Sequence, residues 1–348
     1  MNYFDTLLND RYEGLHFISD YRTGLRGLVA IHSTKLGPAL GGTRALSTYP
    51  SEQDAVVDVL RLARGMTYMA ALAGLPHGGG KAVIFLPKGN FDRVALFEAF
   101  GRGVESLGGR YITTEDSGTS PDDMVVVNRE TKSVVGLPGK SGDPSPVTAF
   151  GVVRGIEAAA KVALGRSDLK GLRVTLLGVG HVGMPLAEEL HKRGARLFIS
   201  DINKARVDEA VKRFDAAAMS EAELIKQEAD VFAPCALGAS LNDTTIPQLK
   251  VKIVAGAANN QLAEARHGQM VADRGITYCP DYAINAGGLI NVAAEVVGYD
   301  REKAYARASK IYDTIETILT RAKQSGKRPE QIADAIVEEK LYGAALAK

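Results

Sequence analysis

Only two cysteines, Cys235 and Cys279, occur in 348 residues, far apart and without a CxxC or a histidine at ligand spacing. That excludes a disulfide framework and leaves two reduced, buried thiols as the expectation. The six histidines are scattered, so a metal site has no support. An excess of one charge sign is also missing, with 42 Lys plus Arg against 41 Asp plus Glu. Nucleic-acid binding and membrane-surface proteins usually carry a basic face, so neither partner is expected. No run approaches the roughly 18 apolar residues that a membrane helix needs, and "MNYFDTLLNDRYEG" has no signal-peptide core. A soluble, cytoplasmic protein is expected. Aromatic residues are scarce at 6%, whereas glycine is abundant at 37 residues. This balance fits an α/β enzyme with many tight turns better than an all-β sandwich.

The length allows two domains of ordinary size. In the first part, "GLRGLVAIHST" predicts a strand and "GPALGGTR" a glycine-rich turn. Ser51 predicts a helix cap with Asp54 three residues on, and Val56, Val59, Leu60 and Ala63 form an apolar stripe. "KAVIFLP" predicts a short buried strand, 91–107 a helix and "RYITTED" another strand. Ser120-Pro121 has the pattern of an N-cap with proline at the first helical position. The segment "GLPGKSGDPSPV", residues 136–147, holds three prolines and three glycines and predicts a hinge. Beyond it, a long helix ends at Gly165, and strands then alternate with helices as in a parallel sheet covered on both faces. The expected domains are 1–140, rejoined by a C-terminal helix at about 325–348, and 145–324, with a return crossing near 320. Two amphipathic helices, about 301–324 and 329–341, close the chain.

"VTLLGVGHVGMPLAEEL" contains Gly178, Gly180 and Gly183 as G-x-G-x-x-G between an apolar strand and a helix. The first glycine permits the tight turn, the second lets backbone approach a pyrophosphate, and the third lets helix and strand pack closely. Gly178, Val179, Gly180, His181, Val182, Gly183 and Met184 therefore form the predicted dinucleotide-binding turn. The next strand ends in Asp201, 18 residues past Gly183. A carboxylate there can accept both ribose hydroxyls and repels a 2′-phosphate, which favours NAD over NADP.

A dinucleotide fold does not name a substrate. The blocks "GPALGGTR", "LARGMTY", "GLPHGGGKAVI", "YITTEDSGT", "GDPSPVTAFGV", "GAANNQL" and "PDYAINAGGLINV" run in order over nearly the whole chain. They resemble the Leu/Phe/Val branch of the glutamate dehydrogenase superfamily, with wording closest to leucine dehydrogenases. The "APCALG" and "GAANNQL" blocks are shared with tryptophan dehydrogenases. The resemblance implies an N-terminal α/β substrate and oligomerisation domain, a Rossmann NAD-binding domain and an active site in the cleft between them. It also implies a homo-oligomer, dimer or octamer, that converts an L-amino acid, NAD+ and water into a 2-oxo acid, ammonia and NADH. On this resemblance Lys81 is the catalytic lysine and Asp116 the proton-transferring carboxylate. Leu40, Gly41, Met66 and Thr114 fall where the substrate is held. Asn285 matches the asparagine that orients the substrate carboxylate. Asn260 and Thr148 match residues near the nicotinamide ribose and amide.

One position departs from the pattern. Family members have "TYK" where this chain has Thr67-Tyr68-Met69, and that lysine holds the substrate α-carboxylate. Methionine keeps the linear shape but has no charge and no donors. Two origins fit: a deliberately changed site, or a natural member with altered substrate use. Three functions follow: an amino-acid dehydrogenase with an altered carboxylate site, an amine dehydrogenase acting on ketones, or a dinucleotide-binding protein without turnover.

Overall fold

The stretch "GPALGGTR" is a strand, not a turn, and much of the first half of the molecule is arranged around it. The computed structural model describes residues 2–236 and 238–343. It divides into unit 1, residues 1–142 and 289–301, and unit 2, residues 143–288 and from 302 on.

Unit 1 is built on β1 (Gly14–Asp20), β2 (Leu25–Ser33), β3 (Ala39–Leu46), β4 (Gly78–Phe85) and β5 (Tyr111–Glu115). They lie in the order β1-β2-β4-β3-β5. β2 is antiparallel to β1 and β4, and β3 is parallel to β4 and β5, so the sheet is mixed. Helices α1 (Tyr3–Asn9), α2 (Glu52–Leu72), α3 (Arg93–Glu105) and α4 (Pro121–Glu130) complete the N-terminal part. The predicted stripe of α2 packs Val56, Val59, Leu60 and Ala63 with Leu28, Ala30 and Val83 of the sheet. A second core gathers Phe97 and Phe100 of α3 and Met124 of α4 with Tyr111. The Ser51 side chain accepts from the Asp54 N–H at the start of α2. Ser120 and Asp123 form a reciprocal capping box at the start of α4.

Glycines occupy β3 and the start of β4 because backbones meet there. An ideal Cβ on Gly41 would lie 1.8 Å from the Gly80 carbonyl oxygen, and one on Gly79 would lie 2.0 Å from the Thr67 nitrogen in α2. These glycines serve close approach inside a sheet rather than a change of direction.

Unit 2 alternates α5 (Ser145–Leu164), β6 (Arg173–Leu177), α6 (Gly183–Lys192), β7 (Arg196–Ser200), α7 (Lys204–Phe214), β8 (Ala217–Ala218), α8 (Glu221–Lys226) and β9 (Val231–Pro234). Then come β10 (Ile253–Val254), α9 (Arg266–Asp273), β11 (Thr277–Tyr278) and α10 (Asp281–Ile284). The six strands are all parallel in the order β11-β10-β9-β6-β7-β8, the doubly wound order of a dinucleotide-binding domain. α5 stops at Gly165, which takes the left-handed conformation at φ 69°.

The return of the chain differs from the expected one. α11 (Gly287–Ala293) leads into the segment 289–301, and it is this segment that belongs to unit 1. Glu295 holds it there by accepting from the Gly136 and Ser141 N–H groups, each at 3.0 Å. Asn291 adds a bond to the Ser141 carbonyl at 3.2 Å. The crossings therefore fall at 142/143, 288/289 and 301/302, and none lies near 320. α12 (Arg301–Ser309) and α13 (Ile311–Ser325) replace the single helix expected over 301–324, with a break at Lys310. α14 (Pro329–Tyr342) belongs to unit 2 rather than returning to unit 1. It buries Ile332, Ala333, Val337 and Leu341, and its Asp334 accepts from the Tyr282 hydroxyl at 2.5 Å. Residues 344–348 of the predicted C-terminal helix lie outside the described residues.

Candidate active-site residues and the dinucleotide cavity

Gly42 of β3 has no side chain, and the space is used by two others. An ideal Cβ there would lie 2.8 Å from Asp116 Cβ and 3.2 Å from Lys81 Nζ. Lys81 comes from β4 and Asp116 from the end of β5, the two strands that flank β3. Their charged atoms stand 3.3 Å apart, Nζ to Oδ2. Lys81 is 5% exposed, so its ammonium is almost fully withdrawn from water. Among the described residues Asp116 is the one carboxylate in ion-pair range of it.

Asp116 Oδ2 has a second cation. Arg44 Nε donates to it at 3.1 Å, while Arg44 Nη1 donates to Asp58 Oδ2 at 2.8 Å. The Tyr49 hydroxyl donates to the same Asp58 oxygen at 2.6 Å. Burial works against the charge on Asp116, but Lys81 and Arg44 outweigh it and hold the carboxyl below the ordinary carboxylate range. Burial, reinforced by the bond to Asp58, pushes the Tyr49 hydroxyl up, so it remains a donor. Arg44, Asp58 and Tyr49 were not singled out from the sequence. Arg44 was in view as the last residue of "GPALGGTR", but nothing in the string places it against Asp116.

The other predicted substrate residues are spread around this pair. Leu40 is fully buried, paired with Gly79 and Ile112 across the strands. Met66 is half-buried, its Cγ 3.2 Å from an ideal Cβ on Gly41. Thr114 is 7% exposed, and its Oγ1 has no hydrogen-bond partner among the described residues. Met69 is half-buried in the last turn of α2, one residue beyond a tyrosine that stacks with the Arg64 guanidinium.

Within unit 2 the fingerprint turn opens on a cavity of about 960 Å³, lined among others by Gly178, Gly180, Asp201, Ile202, Arg206 and Asn242. Gly178 has φ 96°, and a Cβ there would lie 2.7 Å from the Ala236 nitrogen. A Cβ on Gly183 would lie 2.0 Å from the Gly178 carbonyl oxygen, so α6 can approach β6 only as glycine. Above Gly180 the space is open among the described residues, with Arg206 Nη1 their one heavy atom near a Cβ, at 3.6 Å. α6 has Val182 at its N-cap, without a side-chain cap. The Met184 N–H already donates to the Gly180 carbonyl at 3.0 Å and Pro185 has no N–H, so among the described residues it is the N–H groups of the turn at 180–183 that are left for an anion such as a pyrophosphate. Val179 is buried, His181 exposed, and Val182 and Met184 half-buried around this turn. Asp201 accepts from the Val179 N–H at 2.8 Å and the Asn203 N–H at 2.7 Å. Ile202 beside it is fully exposed, an apolar surface on the cavity wall. These features fit a dinucleotide.

The remaining predicted residues also lie in unit 2. Thr148 donates to the Pro144 carbonyl at 2.9 Å within α5, and Asn260 is exposed with φ 51°. Asn285, 6% exposed, donates from Nδ2 to the Ala257 carbonyl at 3.1 Å and to Asn259 Oδ1 at 2.5 Å. Its Oδ1 has no partner among the described residues. Of the cysteines, Cys235 is half-buried in the lining of this cavity and Cys279 is buried, and burial pushes both thiols up to about 12.

A doubly wound sheet with a glycine-lined cavity in one unit, and in the other a mixed sheet that buries a lysine against a carboxylate, define a class: a two-domain oxidoreductase that works with a dinucleotide. Residues 16–133 match the family described as Glu/Leu/Phe/Val dehydrogenase, dimerisation domain. Residues 198–344 match that described as Glutamate/Leucine/Phenylalanine/Valine dehydrogenase. Leucine dehydrogenase of Bacillus cereus is 50% identical over 341 residues, covering 97% of this chain and 93% of its own. L-Tryptophan dehydrogenase of Nostoc punctiforme is 44% identical over 347 residues, covering 99% and 98%. The crystal structure of that enzyme superposes with a TM-score of 0.87 over 97% of this chain and 98% of the other, at 43% identity. The chain belongs to the Glu/Leu/Phe/Val dehydrogenase family. It is an amino-acid dehydrogenase, an NAD(P)-dependent oxidoreductase.

Filling the gap at residue 42 should separate the charged pair. Gly42→Ala is expected to lose most turnover and about 1–3 kcal/mol of stability, read from urea unfolding. A variant with unchanged activity would mean that the approach of Lys81 to Asp116 is incidental.

Proposed function

We propose that this dehydrogenase interconverts a branched-chain or aromatic L-amino acid and its 2-oxo acid with NAD, and that the α-carboxylate contact of its relatives is weakened at Met69. The observation that carries the reading is the buried Lys81 beside an Asp116 held ionised. NAD, when bound, supplies the acceptor for the hydride leaving the substrate Cα. Asp116, ionised, takes a proton from the substrate ammonium before hydride leaves and returns it to the amine as it departs. Lys81, in the neutral form the step requires, takes at Nζ the proton of the water that adds to the imine carbon. Relatives named for leucine, tryptophan and valine support a branched or aromatic side chain. Leu40, Gly41, Met66 and Thr114 are assigned to hold it. NAD rather than NADP is supported by Asp201 on the cavity wall, where its charge opposes a 2′-phosphate. Thr148 and Asn260 are assigned to the nicotinamide end. A homo-oligomer assembled through unit 1 is supported by the edge strand β1, which leaves Phe17 70% exposed and is followed by Tyr21 at 92%.

One observation favours a second reading, an amine dehydrogenase acting on ketones that lack the carboxylate. The Ala257 carbonyl can only accept, which sets the orientation of the Asn285 amide. Both Nδ2 hydrogens are engaged, and the open atom Oδ1 suits an amine N–H rather than a carboxylate. With methionine at 69, neither expected carboxylate contact presents a donor.

Oxidation of NADH with ammonia and 4-methyl-2-oxopentanoate, against a methyl ketone with ammonia, separates the readings. Turnover of the oxo acid supports the first, turnover of the ketone alone the second, and turnover of neither a protein that only binds the dinucleotide. Tighter binding of NADPH than NADH would refute the role given to Asp201. Light scattering at micromolar concentration should report an oligomer, and a monomer would overturn the assembly. Met69→Lys is expected to lower KM for leucine about ten- to a hundredfold, the worth of a charge-assisted hydrogen bond of roughly 1.5–3 kcal/mol. The effect should fall on KM more than on kcat, because the carboxylate is bound in ground and transition states alike. An amine of the same side chain should gain nothing. An unchanged kcat/KM for leucine would mean that Met69 only packs.

A further inference from the structure

Two features of the charged cluster are not explained by a lysine and an aspartate acting alone. Both cations that reach Asp116 meet the same oxygen: Oδ2 has Lys81 Nζ at 3.3 Å and Arg44 Nε at 3.1 Å. No donor among the described residues reaches Oδ1, although Asp116 is a quarter exposed. The second feature is what stands behind Arg44. Its guanidinium bridges two carboxylates, Asp116 and Asp58, and Tyr49 fixes the far one through a 2.6 Å bond to Asp58 Oδ2. The four charges sum to zero, with two cations alternating with two anions.

A bridging guanidinium is planar and rigid, so its Nε and Nη1 donors fix the direction between the two carboxylates. Arg44 is only 22% exposed, and β3 carries it in register with Val83 of β4. The Asp116 backbone is held independently: its N–H donates to Thr119 Oγ1 at 2.8 Å, and Thr119 donates to the Thr43 carbonyl at 3.0 Å. The main chain is therefore fixed by one set of bonds and the carboxylate rotation by another. With Oδ2 saturated by two cations, a proton arriving at the carboxylate meets the less stabilised charge on Oδ1.

We propose that Arg44 is a positioning residue for the reaction: it holds Asp116 by Oδ2 so that Oδ1 is the atom that exchanges a proton with substrate, and Asp58 and Tyr49 brace it. The inference rests on the reading of Lys81 and Asp116 as the reacting pair. The groups that bear on Asp116 are Lys81 from β4, Arg44 from β3, the buried Tyr111 hydroxyl from β5, and Asp58 and Tyr49 behind Arg44. Lys81 and Arg44 favour the carboxylate, and Asp58 and a charged Tyr111 oppose it. Removing Arg44 therefore has the opposite sign from removing the charge of Asp58, which a merely structural contact would not produce.

The experiment is the pH profile of kcat/KM of the full enzyme with NADH, ammonia and 4-methyl-2-oxopentanoate. Asp116→Asn comes first: unchanged turnover overturns the reacting-pair reading itself, and loss of turnover upholds it. Given that loss, Arg44→Met should move the limb that reports Asp116 upward by about one pH unit, since an opposite charge at this range lowers a carboxyl by ~1 unit or more. Asp58→Asn, which keeps Arg44 and removes the opposing anion, should move the limb downward or leave it in place. Arg44→Lys keeps the charge but not the bridge, and should lower kcat severalfold with a smaller shift than methionine. A uniform loss of kcat in Arg44→Met and Asp58→Asn with no limb displaced overturns the role of Arg44, as does an upward shift in both. Should Arg44→Met not fold, Arg44→Lys and Asp58→Asn decide: a fall in kcat for the first without an upward limb for the second supports the proposal. Wild-type kcat and profile in both overturn it.

Discussion

The arrangement of unit 1 depends on the absence of side chains in the middle of its sheet. At Gly41, Gly42 and Gly79 a single added carbon would fall within 3 Å of backbone, and at Gly80 within 3 Å of the buried Tyr111 ring. That constraint lets α2 lie against β4, lets β3 be shared between β4 and β5, and leaves the space above Gly42 for Lys81 and Asp116. Glycine inside a strand normally weakens it through lost packing and extra chain entropy. Here the loss is offset by two cores, one under α2 and the other under α3 and α4.

Burying a lysine is unfavourable unless its charge is met, and the protein meets it with a carboxylate that is itself steadied by Arg44. A neutral set of alternating charges is a stable way to keep two ionised groups poorly hydrated, because each is surrounded by the opposite sign. The consequence reaches function. A carboxyl held below its ordinary range stays a proton acceptor at neutral pH, and the lysine next to it is fixed in place rather than free to swing. Met69, by contrast, is half-buried on the neighbouring helix with nothing ionic to offer.

Unit 2 shows the same economy of atoms around a different ligand class. Gly178 and Gly183 close the turn against β6 and α6, and Asp201 uses two backbone N–H groups to hold its carboxylate at the rim of the cavity. Ile202, fully exposed on that rim, has no packing reason to be apolar, and a flat base surface would supply one.

Much of this was legible in the chain. The G-x-G-x-x-G between strand and helix, the alternation after Gly165 and the caps at Ser51 and Ser120 are local signals, and local backbone chemistry decides them. Ordered motifs over nearly the whole length carried the family and the separate catalytic roles of Lys81 and Asp116 as expectations. What the chain alone left open depended on residues distant in sequence meeting in space. "GPALGGTR" suggested a turn because glycine is ambiguous until its neighbours are known, and Gly80 and Glu115 are those neighbours. The return of 289–301 rather than the C-terminal helix to unit 1 rests on Glu295 finding the N–H groups of Gly136 and Ser141, a pairing across more than 150 positions. Arg44 acquired a role only when β3 brought it between Asp116 and Asp58. Residue type and spacing determined which chemistry was present, and the tertiary structure decided which charges share an oxygen, because that depends on distances of about 3 Å that no spacing along the chain encodes.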